Sequence, residues 1–230
     1  MKADLFEALS LNIASHKACA VVTDIEAGSQ ILIGADTRIG DLKLKEEQLA
    51  VVNQLIVGDV SGQIDETNLF VRVYGPALRL IIVGAVHIAQ ALAPMAQLAG
   101  FKVTVIDPRE AFVRAGRLSE VEALTDWPNE GMHKLQPDSR TAVVTLTHDP
   151  KLDDPALAAA LRSKAFYIGS LGSNRTHAKR LARLTEDGFS ERDLDRIHGP
   201  VGLDIKAKTP SEIAVSILGE IVATRRRAAA

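Results

Sequence analysis

The chain has 230 residues, 47% of them hydrophobic and 24% charged, with a formal net charge of −2. This is ordinary soluble globular composition for one large or two modest domains, and it gives no general pull toward nucleic acid or an anionic membrane. Its one cysteine, Cys19, has no internal disulfide partner, and with no signal-like start and no long uncharged apolar run the expectation is a cytoplasmic protein without membrane insertion.

Ala3 to Ala14 reads as an amphipathic helix. Ala18–Val22 and Gln30–Ile33 read as paired strands around the turn-rich Glu26-Ala27-Gly28-Ser29. The spacing predicts a helix from Leu42 to Leu55 and an extended run from Leu69 to Val73. Residues 1–75 are therefore expected to form a small N-terminal α+β unit, ended by the chain-breaking Gly75-Pro76.

From there strand and helix patterns alternate. Leu78–Val83 ends in the continuous apolar run of a buried parallel strand. Ile88–Leu98 has helical spacing, and Phe101–Ile106, Thr141–Leu146 and Ala165–Ile168 read as further strands. Asp154-Pro155 is expected to open a helix running through Leu161, since aspartate caps well and proline suits a first turn. Ser190 and Asp193 form a candidate capping box for Glu191–Ile197. A last helix runs from about Pro210 to Arg225, with Ile213, Ile217, Leu218, Ile221 and Val222 on one face. The fold class predicted for residues 76–230 is α/β: a Rossmann-like, doubly wound parallel sheet, with chemistry sought at the strands' carboxyl ends.

Three strand ends supply candidates. In Leu80-Ile81-Ile82-Val83-Gly84-Ala85-Val86-His87-Ile88-Ala89, Gly84 and Ala89 fit a dinucleotide-binding turn, G-x-G-x-x-G/A, but Val86 stands where the middle glycine belongs. The following helix N-terminus offers amides to a phosphate, and His87 adds a donor. Val86 should displace a pyrophosphate or force another pose. Asp107 closes its strand at close to the roughly 20-residue spacing of an acid that binds a ribose hydroxyl; the competing reading is a helix cap before Pro108. Arg109 is placed to meet a phosphate or to lie solvated.

The third set is Thr147-His148-Asp149 and the loop Gly169-Ser170-Leu171-Gly172-Ser173-Asn174-Arg175. Small residues there can expose consecutive amides, Ser173 can cap a helix, and Arg175 can pair with an oxyanion, so a second phosphate or pterin contact is expected. His148 is a candidate for proton transfer. The six histidines are scattered and no ligand spacing is present, so no metal site is predicted. Cys19 reads as a buried small hydrophobe.

These motifs carry a resemblance. The run from Arg79 to Phe112, the segment THDPKLDDPAL from Thr147, YIGSLGS from Tyr167, and GLDI with TPSEIAVSI from Gly202 together resemble the XdhC/CoxI family. These are accessory proteins of xanthine dehydrogenase and carbon monoxide dehydrogenase, and the likeness covers most of residues 66–222. It implies a Rossmann-type factor, commonly dimeric. Such a factor binds the molybdenum cofactor as molybdopterin or its cytosine dinucleotide, assists its sulfuration and delivers it to a client molybdenum hydroxylase. It further implies contacts from Gly84, Asp107 and the Gly169–Arg175 loop. The family's turn reads GAGH, from which Val86 departs. The upstream cysteine-containing motif of longer members has no counterpart in residues 1–65, so a shortened or split member is expected, working with a partner that supplies the other part, a sulfurtransferase or a second accessory protein. The alternatives are an NAD(P)-dependent oxidoreductase on the same scaffold and an interaction module whose nucleotide site has lapsed.

Overall fold

A computed structural model describes residues 2–15, 17–113 and 121–227. The chain divides into two compact units, Met1–Pro76 with Arg226–Ala230, and Ala77–Arg225.

In the first unit α1 (Ala3–Ala14) precedes β1 (Cys19–Asp24), β2 (Gln30–Gly34) and β3 (Arg38–Gly40); α2 (Glu46–Gly58), β4 (Gly62–Gln63) and β5 (Leu69–Tyr74) follow. The strands form an antiparallel sheet in the order β3-β2-β1-β5-β4. The alternating side chains of β1 feed two apolar layers. Ala20 and Val22 pack with Val52 of α2, while Cys19 and Val21 pack with Leu5 and Leu9 of α1. Cys19 is thus fully buried, and burial pushes its thiol pKa up. The helix expected from Leu42 begins later, at Glu46. Leu42 and Leu44 instead lie in the preceding loop, packed at alternate positions against the core. The Lys45 amide donates to the Gln48 side chain at 2.9 Å and so marks the helix start.

The second unit runs β6 (Leu78–Val83), α3 (His87–Leu98), β7 (Phe101–Ile106), α4 (Glu110–Val113), β8 (Glu122–Leu124), α5 (Pro128–Leu135), β9 (Thr141–Thr145), α6 (Pro150–Arg162), β10 (Tyr167–Ser170), α7 (Asn174–Glu186), α8 (Glu191–Leu194), β11 (Ile197–His198) and α9 (Pro210–Arg227). Its six strands are all parallel, in the order β11-β10-β9-β6-β7-β8. Read from the β8 side this is the doubly wound 3-2-1-4-5-6 order, and its direction reverses between β6 and β9. Both faces are covered, as parallel sheets require. Leu80 and Ile82 pack into the layer with α3 and α9, and Ile81 and Val83 into the layer with α6 and α7.

Helix α6 starts at Pro150 with Asp149 as its cap, not at Asp154-Pro155; Pro155 lies inside it. The buried face runs Leu152, Asp153, Ala156, Leu157, Ala160 and Leu161, so packing begins the helix at the earlier of two Asp-Pro pairs. The Ser190–Asp193 capping box forms, but α8 stops at Leu194, and Ile197 belongs to β11. Strand β10 begins at Tyr167, two residues after the expected start, and continues to Ser170.

Candidate functional site

Because the six strands are parallel, the loops after β6, β7, β9 and β10 lie on one edge of the sheet, around the point where the order reverses. Gly84 leaves β6 with φ of 108°, and a Cβ there would sit 2.6 Å from the Thr147 methyl group. The turn therefore needs glycine both for its backbone and for the approach of the β9–α6 loop. Val86 is the N-cap of α3, in an extended conformation (φ −87°) and with no side-chain cap hydrogen bond. That conformation suits any L-residue. Its side chain packs partly against the apolar layer, and His87, the first helical residue, is exposed.

Asp107 is completely buried, and its carboxylate is occupied by its own chain. The Ala85 amide donates to Oδ2 at 2.8 Å. Arg109 donates from its amide to Oδ1 at 3.0 Å, from Nε to Oδ1 at 2.9 Å, and from a terminal nitrogen to Oδ2 at 2.7 Å. Burial alone would raise this pKa; the Arg109 guanidinium and the two amides outweigh it and hold the carboxyl below its ordinary value. Asp107 braces the Gly84 turn, and Arg109 closes over it.

The second loop is organised by an acid within THDPKLDDPAL to which the sequence alone assigns no role. Asp153 is 1% exposed. Its carboxylate accepts from the Thr147 hydroxyl at 2.7 Å, the Thr147 amide at 3.3 Å and the His148 amide at 3.1 Å. Burial pushes its pKa up, and those bonds, with nearby Arg180, offset only part of the rise. His148, exposed, is held at φ of 62°, and the Asp149 side chain caps α6 by accepting from the Lys151 amide at 2.9 Å.

The third loop separates into packing and rim positions. Gly169 lies within β10, where a Cβ would sit 2.5 Å from Val201. Ser170 is fully buried with its hydroxyl 2.5 Å from that of Thr145, so it ties β10 to β9. Gly172 turns the chain outward, Ser173 caps α7 by accepting from the Thr176 amide at 3.2 Å, and Arg175 is exposed on the first turn. Arg175, Lys179 and Arg183, four residues apart, share one face of α7 with the 2% exposed Arg180. The regular spacing of these cations was visible in the sequence; the burial of Arg180 was not.

Among the described residues, no group of three or more His, Cys, Asp or Glu is placed to hold a metal ion, and no helix is long and apolar enough to cross a membrane.

A doubly wound parallel sheet, with a glycine turn leading into an uncapped helix at the reversal point, defines a Rossmann-type domain. The family model described as the XdhC Rossmann domain matches residues 80–221, more than half of the chain. The chain belongs to the XdhC family. It is 35% identical over 152 residues to the molybdenum cofactor insertion chaperone PaoD of Escherichia coli, covering 66% of this chain and 42% of that protein. It is 34% identical over 164 residues to a Bacillus subtilis protein named as a probable xanthine dehydrogenase component, covering 71% of this chain and 48% of that one. The chain thus spans less than half the length of these relatives. A crystal structure described as a xanthine dehydrogenase from Bacillus halodurans shares the fold, with a TM-score of 0.73 at 24% identity over 97% of this chain and 66% of that chain.

Proposed function

We propose that this chain is a maturation factor that carries the molybdenum cofactor, as molybdopterin or its cytosine dinucleotide, and passes it to a molybdenum hydroxylase of the xanthine dehydrogenase or carbon monoxide dehydrogenase type. The observation that carries the reading is the N-terminus of α3. It opens at the sheet's reversal point without a side-chain cap, so its amides and dipole are free for a phosphate group. The names of the relatives support the choice of cargo. Val86 and His87 supply the amide cradle on the Gly84 turn, whose own amide donates to the Ile106 carbonyl at 2.8 Å; Ser173 supplies a hydroxyl from the neighbouring loop. Asp107, Gly169 and Ser170 act from beneath by fixing the loops that present those groups. Delivery brings the client enzyme to this edge, and sulfuration brings a sulfurtransferase or a second accessory protein; a second copy of the chain completes a dimer.

The chain's one tryptophan, Trp127, follows β8 on the same edge and is 53% exposed, which makes it a built-in reporter. Titration with molybdenum cofactor released from a donor enzyme should quench or shift its emission with a micromolar Kd, confirmed by calorimetry. NAD(H) and NADP(H) should leave it unchanged. Tight NAD(H) binding with hydride transfer to a small substrate would replace this reading with an oxidoreductase.

A further inference from the structure

A cavity of about 280 Å³ opens between α6 and α7, beyond the Gly84 turn. It lies just under the ~300–1,000 Å³ range of pockets that hold drug-sized molecules, so it suits a small group. Arg175, Lys179, Arg180 and Arg183 face it against two carboxylates, Asp153 and Asp154. Arg183 is fully engaged with Asp154, with nitrogen–oxygen distances of 2.5 and 3.0 Å. Both Asp153 oxygens take hydrogen bonds from the Thr147–His148 loop. No side-chain hydrogen bond or ion pair among the described residues holds Arg175 or Lys179.

Arg180 is the sharper observation. It is 2% exposed, donates to the Leu171 carbonyl at 2.8 Å, approaches His177 Nδ1 at 3.5 Å, and leaves its buried Nε without a partner. A buried guanidinium has five donors in a fixed fork and a strong preference for an oxyanion to fill them. The cations that remain after Asp154 is matched exceed what Asp153 can balance, and Thr176 adds a hydroxyl to the lining.

We infer that this cavity is an anion site, distinct from the α3 crevice, which takes a phosphate or phosphomonoester dianion on Arg175, Lys179 and Arg180. None of residues 84–87 lines it, so it can be occupied whether or not the α3 edge holds a pterin. The dianion has two possible sources: free inorganic phosphate, or a phosphate of a larger ligand lying along the rim.

The test uses the full chain and two variants at exposed positions, Arg175→Gln and Lys179→Gln, with Lys164→Gln, which lies outside the cavity, as a control. Inorganic phosphate is titrated by calorimetry and by phosphorus NMR line width. Thermal midpoints are recorded in phosphate and in chloride of equal ionic strength, because a ligand bound only by the folded state raises the midpoint. Each cavity variant should weaken phosphate binding at least about fivefold, and the phosphate-dependent rise should vanish in the double variant and persist in Lys164→Gln. The midpoint without phosphate reports whether the variants stay folded. No phosphate response in the unmodified chain beyond that of chloride, or an undiminished response in the double variant, overturns the site. Titration with cytidine triphosphate assigns the source. A parallel loss of its affinity in Lys179→Gln places a ligand's own phosphate in the cavity. Unchanged affinity, with phosphate binding lost, leaves free phosphate as the occupant. Trp127 fluorescence with the pterin is read separately, so failure of the anion site and failure of the cargo reading remain distinguishable.

Discussion

Asp107 is held by hydrogen bonds from two residues, Ala85 and Arg109, and so links the ends of β6 and β7. The Asp107→Asn variant removes the charge and turns a donor toward donors. It should lower stability at neutral pH by about 1–3 kcal/mol, toward the lower end because the Arg109 side chain is 39% exposed. The folded-state pKa lies below the ordinary carboxylate value. The stabilisation is therefore present above an unfolded-state pKa near ~4 and is lost as pH falls through the folded-state value. Urea unfolding across acidic pH should show a shallower decline for the variant than for the unmodified chain. Equal slopes would mean that the carboxyl is not depressed. The position of Asp107 was legible from strand end and spacing. Its engagement by Arg109 was not, because spacing alone does not say whether an acid at a strand end meets a ligand or the next arginine.

Among elements, α6 shows where local signals compete. Asp149-Pro150 and Asp154-Pro155 carry the same start signal, and nothing within either dipeptide separates them. Leu152, buried on the helix's inner face ahead of Pro155, decides for the first. Asp149→Ala should therefore remove a helix cap and destabilise by about 1 kcal/mol, with faster amide exchange at Lys151. Asp154→Ala should leave that exchange unchanged and act instead through Arg183. The reverse pattern in hydrogen-exchange measurements would move the helix start back to Asp154. The apolar runs of β6 and β9 were readable because a strand buried on both faces leaves a continuous signature, and β7, interrupted by Lys102 and Thr104, was readable from its alternation. The two- and three-residue strands β3, β4, β8 and β11 were not, since they are too short to show a period. At the rim, the uncapped α3 start and the Ser173 cap were legible as motifs. Asp153 was missed because its role depends on Thr147 and His148 folding back over it.

At the scale of the molecule, each unit has apolar layers of its own. Those of the second unit lie on both faces of its sheet, from Leu80 to Ile221 on one side and from Ile81 to Ile197 on the other. Residues Ala77–Arg225 expressed as a separate chain should therefore fold cooperatively, with a single urea transition and helical circular dichroism. A non-cooperative transition would mean that the first unit is required for folding.

The order of the parallel sheet also bears on how the chain is made. The central strand β6 pairs on one side with β7, which leaves the ribosome shortly after it, and on the other with β9, whose Thr141–Thr145 segment is synthesised much later. During that interval the flank of Leu80-Ile81-Ile82-Val83 that β9 will cover is an open, apolar template for wrong pairing. Translation halted before residue 141 should therefore leave a chain prone to aggregate, and pairing across so long a sequence separation carries a high loop-closure cost.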